Sequence, residues 1–123
     1  MKNEITLKEI FTRQMETQAT LLSKGVYGEA YPEVFKLPFD DVKIANNQML
    51  HLVSEIGEVL EADKRWKSFR NDKYDRIAKA EELADCFIIL LNIAMFSGVD
   101  CDEFIKAIQD KIEVVRQRAC KIN

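Results

Sequence analysis

With 123 residues, the chain has room for one domain and one core but not for two comfortable ones. Hydrophobic residues make up 47%, while four glycines and two prolines leave too little turn punctuation for an all-β fold. The net charge of −3, with both signs interspersed among 32% charged residues, argues against a platform for nucleic-acid polymers, which carries a basic excess.

Thr6 followed by Glu9 is a capping-box pattern that predicts a first helix bearing Leu7, Ile10, Phe11 and Met15 and fading near Lys24–Gly25. Gly25 to Phe39, with Pro32 and Pro38, reads as an ordered loop. A second helix is expected from Asp40 or Asp41 to about Phe69, with Ile44, Met49, Val53, Ile56 and Leu60 as one buried face. After a turn at Asn71–Asp72, a third helix is expected from about Tyr74 to Phe96, stopped by Ser97–Gly98. Asp100 followed by Glu103 opens a fourth, reaching about Lys121. The expected fold is an all-α four-helix bundle forming a single domain over 1–123.

Cys86, Cys101 and Cys120 form no CxxC pair and His51 is the only histidine, so no zinc-like spacing exists. The first residues, MKNEITLKEI, lack the apolar stretch of a signal peptide. The longest apolar run, Cys86 to Phe96, is broken by Asn92 and is too short to cross a bilayer. The expectation is a cytoplasmic protein with no membrane partner.

Two predicted helices carry acids three residues apart, Glu55-x-x-Glu58 and Glu82-x-x-Asp85. Residues at i and i+3 share a helix face, so each pair can aim its oxygens at one place. Glu82 and Asp85 share a stripe with Ile89, Asn92 and Phe96, and Glu55 projects beside Leu52 and Val59. Four carboxylates in a partly desolvated cleft disfavour one another's ionisation unless protons or a cation neutralise them. Oxygen donors without Cys or His point to Mg2+, with Mn2+ as a substitute, and thence to a polyphosphate substrate. The competing reading is a solvated acidic face, which is what a single ExxE usually means. Glu61 and Glu81 lie off these stripes.

The segments Ser54-Glu55-Ile56-Gly57-Glu58-Val59-Leu60-Glu61 and Lys79-Ala80-Glu81-Glu82-Leu83-Ala84-Asp85-Cys86 resemble the MazG-like all-α nucleoside triphosphate pyrophosphohydrolases, a superfamily with dimeric dUTPase and dCTP pyrophosphatase members. The resemblance covers about Asn47 to Arg118, and Arg65-Trp66-Lys67 falls where dCTP pyrophosphatase-like members carry a Trp-Lys pair. It implies an Mg2+-dependent hydrolysis of nucleoside or deoxynucleoside triphosphates to the monophosphate and pyrophosphate, with a tilt towards pyrimidine deoxynucleotides. It further implies that Glu55, Glu58, Glu82 and Asp85 hold the metal, that Glu55 or Glu58 orients the attacking water, and that the enzyme is a homodimer or a tetramer built as a dimer of dimers. One departure is on the last helix: relatives have Asn four residues after the lysine, whereas Lys111 here is followed by Val115, with Arg118 retained.

Lys67, Lys111 and Arg118 are the candidate phosphate contacts, although Lys and Arg also favour helix C-termini for the macrodipole alone. Trp66 is the candidate base-stacking residue, and Asn47 and Asn92 are candidate base or sugar contacts. His51, one turn before Glu55, could line the same cleft, and Phe11, Gln14 and Gln18 on the first helix could close it. An apolar third helix between Phe87 and Phe96 suggests an intersubunit face. Two other functions stay open: a non-catalytic helical interaction or regulatory module, and an enzyme of the phosphoribosyl-ATP pyrophosphohydrolase type.

Overall fold

The computed structural model describes residues 4–28, 36–67 and 72–122. Among them the chain is all-helical: α1 spans Leu7–Ser23, α2 Val42–Ala62, α3 Arg76–Phe96 and α4 Cys101–Cys120, with a 3-10 turn at Lys64–Trp66. Among the described residues, no helix is long and apolar enough to cross a membrane.

Each start is set by a side chain that takes up orphan backbone N–H groups. Thr6 accepts from the Glu9 amide, Asp41 from Lys43 and Ile44, and Asp75 from Ile77 and Ala78. Asp100 and Glu103 make the reciprocal capping box expected of them. The end of α3 is a Schellman motif: Val99 N donates to Ala94 O, Gly98 N donates to Met95 O, and Gly98 takes the left-handed φ of 76°.

The second helix is shorter than its apolar pattern predicts. It stops at Ala62, where Asp63 adopts an extended backbone and accepts from the Arg65 amide, turning the chain into the 3-10 segment. The part of the predicted helix beyond Lys67, including Phe69, lies outside the described residues, as do Asn71 and the 29–35 part of the predicted loop.

The core gathers Phe11 and Leu22 of α1, Ile44 and Ala45 of α2, Leu91, Met95 and Phe96 of α3 and Cys101 of α4. The α2/α3 pair forms the most extensive contact, α1 packs on α3, and α4 packs on α1, with the Phe11 and Phe104 rings 6.3 Å apart. Backbone bonds from Phe39 N to Met95 O and from Asp41 N to Phe96 O tie the entry to α2 onto the end of α3.

The expected buried face of α2 is corrected. Ile44 is buried, but Met49 is 52% exposed, Val53 69%, Ile56 49% and Leu60 47%. The face that meets α3 instead carries Ala45, Gln48, Leu52, Glu55 and Val59, a mixed stripe. Periodicity located the apolar stripe correctly but not the side that turns inward. The polar groups at the two ends of this seam find partners across it, Gln48 with Asn92 and Asp63 with Lys79.

Candidate metal centre

α2 and α3 run antiparallel with a polar seam between them. At one end Asn92 Nδ2 donates to Gln48 Oε1 at 3.0 Å. At the other, Lys79 Nζ donates to Asp63 Oδ2 at 2.8 Å. Midway, Glu55 from α2 and Glu82 and Asp85 from α3 each place one carboxylate oxygen within 4.8 Å of the others. Glu55 and Glu82 are half-buried and Asp85 is exposed, so the cluster sits at the mouth of the seam.

The electrostatics follow from this placement. Burial, then the charges of Asp85, Glu58, Glu55 and Glu81, push the Glu82 carboxyl above its ordinary range. The Cys86 thiol next to it is raised for the same reasons, burial first and then Glu55, Asp85 and Glu82. His51 Nε2 lies 3.3 Å from Glu55 Oε1, one helical turn away. A proton or a cation shared among the three acids relieves the crowding.

The donor set fits a hard divalent cation. Carboxylate oxygens converging from two helices are the donors such an ion takes, and the exposed Asp85 leaves the cluster open to water on one side. Glu58, one turn beyond Glu55, is exposed and stands outside the three-oxygen set, yet its charge reaches Glu82.

The remaining expected residues fall into separate places. Asn92 is 5% exposed, and both its amide ends are engaged: Oδ1 accepts from Gln14 Nε2 at 2.9 Å while Nδ2 holds Gln48. Asn47 is exposed and lines an open pocket of about 780 Å³ between α2 and the Val26–Gly28 segment, with Lys43 and Asn46. Trp66 is exposed and anchored by its indole N–H, which donates to Leu60 O at 3.1 Å, and Lys67 Nζ stands 5.4 Å from the Trp66 ring. Lys111 and Arg118 are exposed on α4, whose main packing partner is α1, and Lys111 borders an apolar groove with Phe104, Ile108 and Val115. Three of the four expected carboxylates are thus brought together within one chain and Glu58 is not among them, while Lys111 and Arg118 stand on α4.

Two features escaped the sequence reading. One is the amide chain from Gln14 through Asn92 and Gln48 to Tyr27, whose hydroxyl donates to the buried Gln18. The other is Asp63, buried between Arg65 and Lys79. A sequence signal existed for the second: an Asp can accept from the backbone N–H two residues on, as Asp63 does from Arg65, and so end a helix.

No protein-family model matches the chain, and no curated protein matches it.

Proposed function

We propose that this protein is a magnesium-dependent nucleoside triphosphate pyrophosphohydrolase of the MazG-like type. The observation that carries the reading is the approach of Glu55, Glu82 and Asp85 to within 4.8 Å across the α2/α3 seam, from the two short motifs on which the sequence resemblance rests. Magnesium held there would act as a Lewis acid towards phosphate oxygens.

The chain's own residues then divide the work. Glu55, Glu82 and Asp85 supply anionic oxygens at a partly buried mouth, and Glu58, outside that set, orients a water and accepts its proton. In the net reaction the P–O bond bridging the α and β phosphates is replaced by a new P–O bond from water, and pyrophosphate leaves with the electron pair. Trp66, at the end of the 3-10 turn that follows α2, and Lys67, the residue after it, are the base and phosphate contacts the reading favours.

Homo-oligomerisation belongs to the same proposal. The exposed stripe Met49, Val53, Ile56 and Leu60 recurs at four, three and four residues, the spacing of a helix–helix seam, and α4 adds exposed Ile112 and Val115. A dimer, or a tetramer formed from two dimers, buries these faces.

The test is calorimetric titration of the metal-free protein with Mg2+, followed by a panel of nucleoside and deoxynucleoside triphosphates. Magnesium binding that is lost in Glu82→Gln and Asp85→Asn, with helicity retained, supports the reading. A folded protein that neither binds Mg2+ nor releases pyrophosphate from any nucleotide refutes it and leaves the interaction-module alternative.

A further inference from the structure

Asp63 occupies an unusual position for a carboxylate. It follows the last residue of α2, is only 7% exposed, and serves two cations at once. Its Oδ1 and Oδ2 accept from Arg65 Nε at 2.7 Å and Nη2 at 2.8 Å, a two-pronged pairing. Its Oδ2 also accepts from Lys79 Nζ of α3 at 2.8 Å. The guanidinium carbon of Arg65 in turn lies 3.6 Å from the ring centre of Tyr74, just before α3. These bonds hold the Asp63 carboxyl well below the usual carboxylate range, hydrogen bonds from Arg65 first and from Lys79 second.

The cluster joins four stretches of chain: the end of α2, the 3-10 turn, the segment before α3 and the first turn of α3. Its place relative to the acids is what matters. Beyond the acids, the α2/α3 pair is already closed by the Phe39 and Asp41 backbone bonds and by Gln48 with Asn92. On the other side it is closed by Asp63 and Lys79, and Lys79 stands one turn before Glu82. Three like-charged groups at the centre push the two helices apart, so the spacing of their oxygens depends on how firmly both ends are fastened.

We propose that Asp63 is a positioning residue for the carboxylate centre: through Lys79 and Arg65 it fixes the register and separation of α2 and α3 and thereby sets cation affinity, without itself being a ligand. The inference rests on the reading that Glu55, Glu82 and Asp85 take a divalent cation. A centre whose oxygens are held in place before the ion arrives binds it more tightly than one assembled on binding.

The experiment titrates the full chain with Mn2+, following free ion by electron paramagnetic resonance, for the parent, Asp63→Asn, Lys79→Met and the double variant. A core variant, Phe11→Leu, serves as a control for lost stability alone. Removing a direct hydrogen-bond partner of a metal ligand weakens metal binding about 10- to 100-fold, and Asp63 and Lys79 act one step further out, through the helices. The expected result is about a tenfold weakening in each single variant, no further loss in the double variant, and parental affinity in Phe11→Leu. Should Asp63→Asn fail to fold, Lys79→Met, which leaves Asp63 paired with Arg65, carries the test. Parental Mn2+ affinity in the folded variants overturns the positioning role alone. Absence of binding by the parent protein overturns the cation reading and this inference with it.

Discussion

Asn92 of α3 donates through Nδ2 to Gln48 Oε1 of α2, 3.0 Å away, and so fastens the two helices that carry the acids. Its other end accepts from Gln14 of α1, which makes one side chain the junction of three helices. Truncating it leaves a buried acceptor on Gln48 and a donor on Gln14 without partners, at a cost of about 1–3 kcal/mol. Asn92→Ala should therefore lower the urea midpoint with an unchanged slope. A midpoint equal to the parent's would mean that the amide chain contributes nothing net.

The raised Glu82 carboxyl carries a pH signature. Its folded-state value lies above the ordinary 4.5, so the folded protein holds its proton more tightly than the unfolded chain does. The stability this provides is complete below the unfolded value and is lost as pH rises through the folded one. In metal-free buffer, Glu82→Gln should match the parent near pH 4 and exceed it in Tm at neutral pH. Adding Mg2+ should close that gap by raising the parent alone. A gap that is constant with pH contradicts the electrostatic origin.

The outward stripe of α2 gives a test of assembly. Val53 is 69% exposed in the single chain, where a charge costs little. In a homo-oligomer sealed by this stripe, Val53→Glu buries an unpaired charge at the interface. Sedimentation velocity should show the parent as a dimer or larger and Val53→Glu shifted to monomer at the same concentration. A monomeric parent protein, or an oligomer indifferent to the substitution, rejects the seam.

How far the sequence could be read depends on the kind of force involved. Helix starts at Thr6, Asp41 and Asp100 were within reach because a cap is a local contact between residues a few positions apart. The Ser97–Gly98 stop is local too, since the left-handed φ at Gly98 favours glycine. The meeting of Glu55 with Glu82 and Asp85 was anticipated as a possibility of spacing, but which α2 face turned inward was not. Met49, Val53, Ile56 and Leu60 form the more apolar stripe, and a rule that buries apolar residues puts them inside. The face that turns inward is marked instead by the long-range bonds Gln48–Asn92 and Asp63–Lys79, and pairing between residues 44 and 16 positions apart leaves no local trace. The early end of α2 has the same cause, because Asp63 leaves the helix to reach Arg65 and Lys79.

The most direct measurement is product analysis after incubation with a nucleoside triphosphate, resolving monophosphate, diphosphate, pyrophosphate and orthophosphate. The expected result is monophosphate and pyrophosphate in equal amounts with Mg2+ present. Turnover should fall about a hundredfold or more in Glu58→Gln and Asp85→Asn, and in excess chelator, while the helical circular dichroism is retained. Diphosphate with orthophosphate as products, or turnover that survives the loss of Asp85 and of the metal, would contradict an Mg2+ pyrophosphohydrolase centred on Glu55, Glu82 and Asp85.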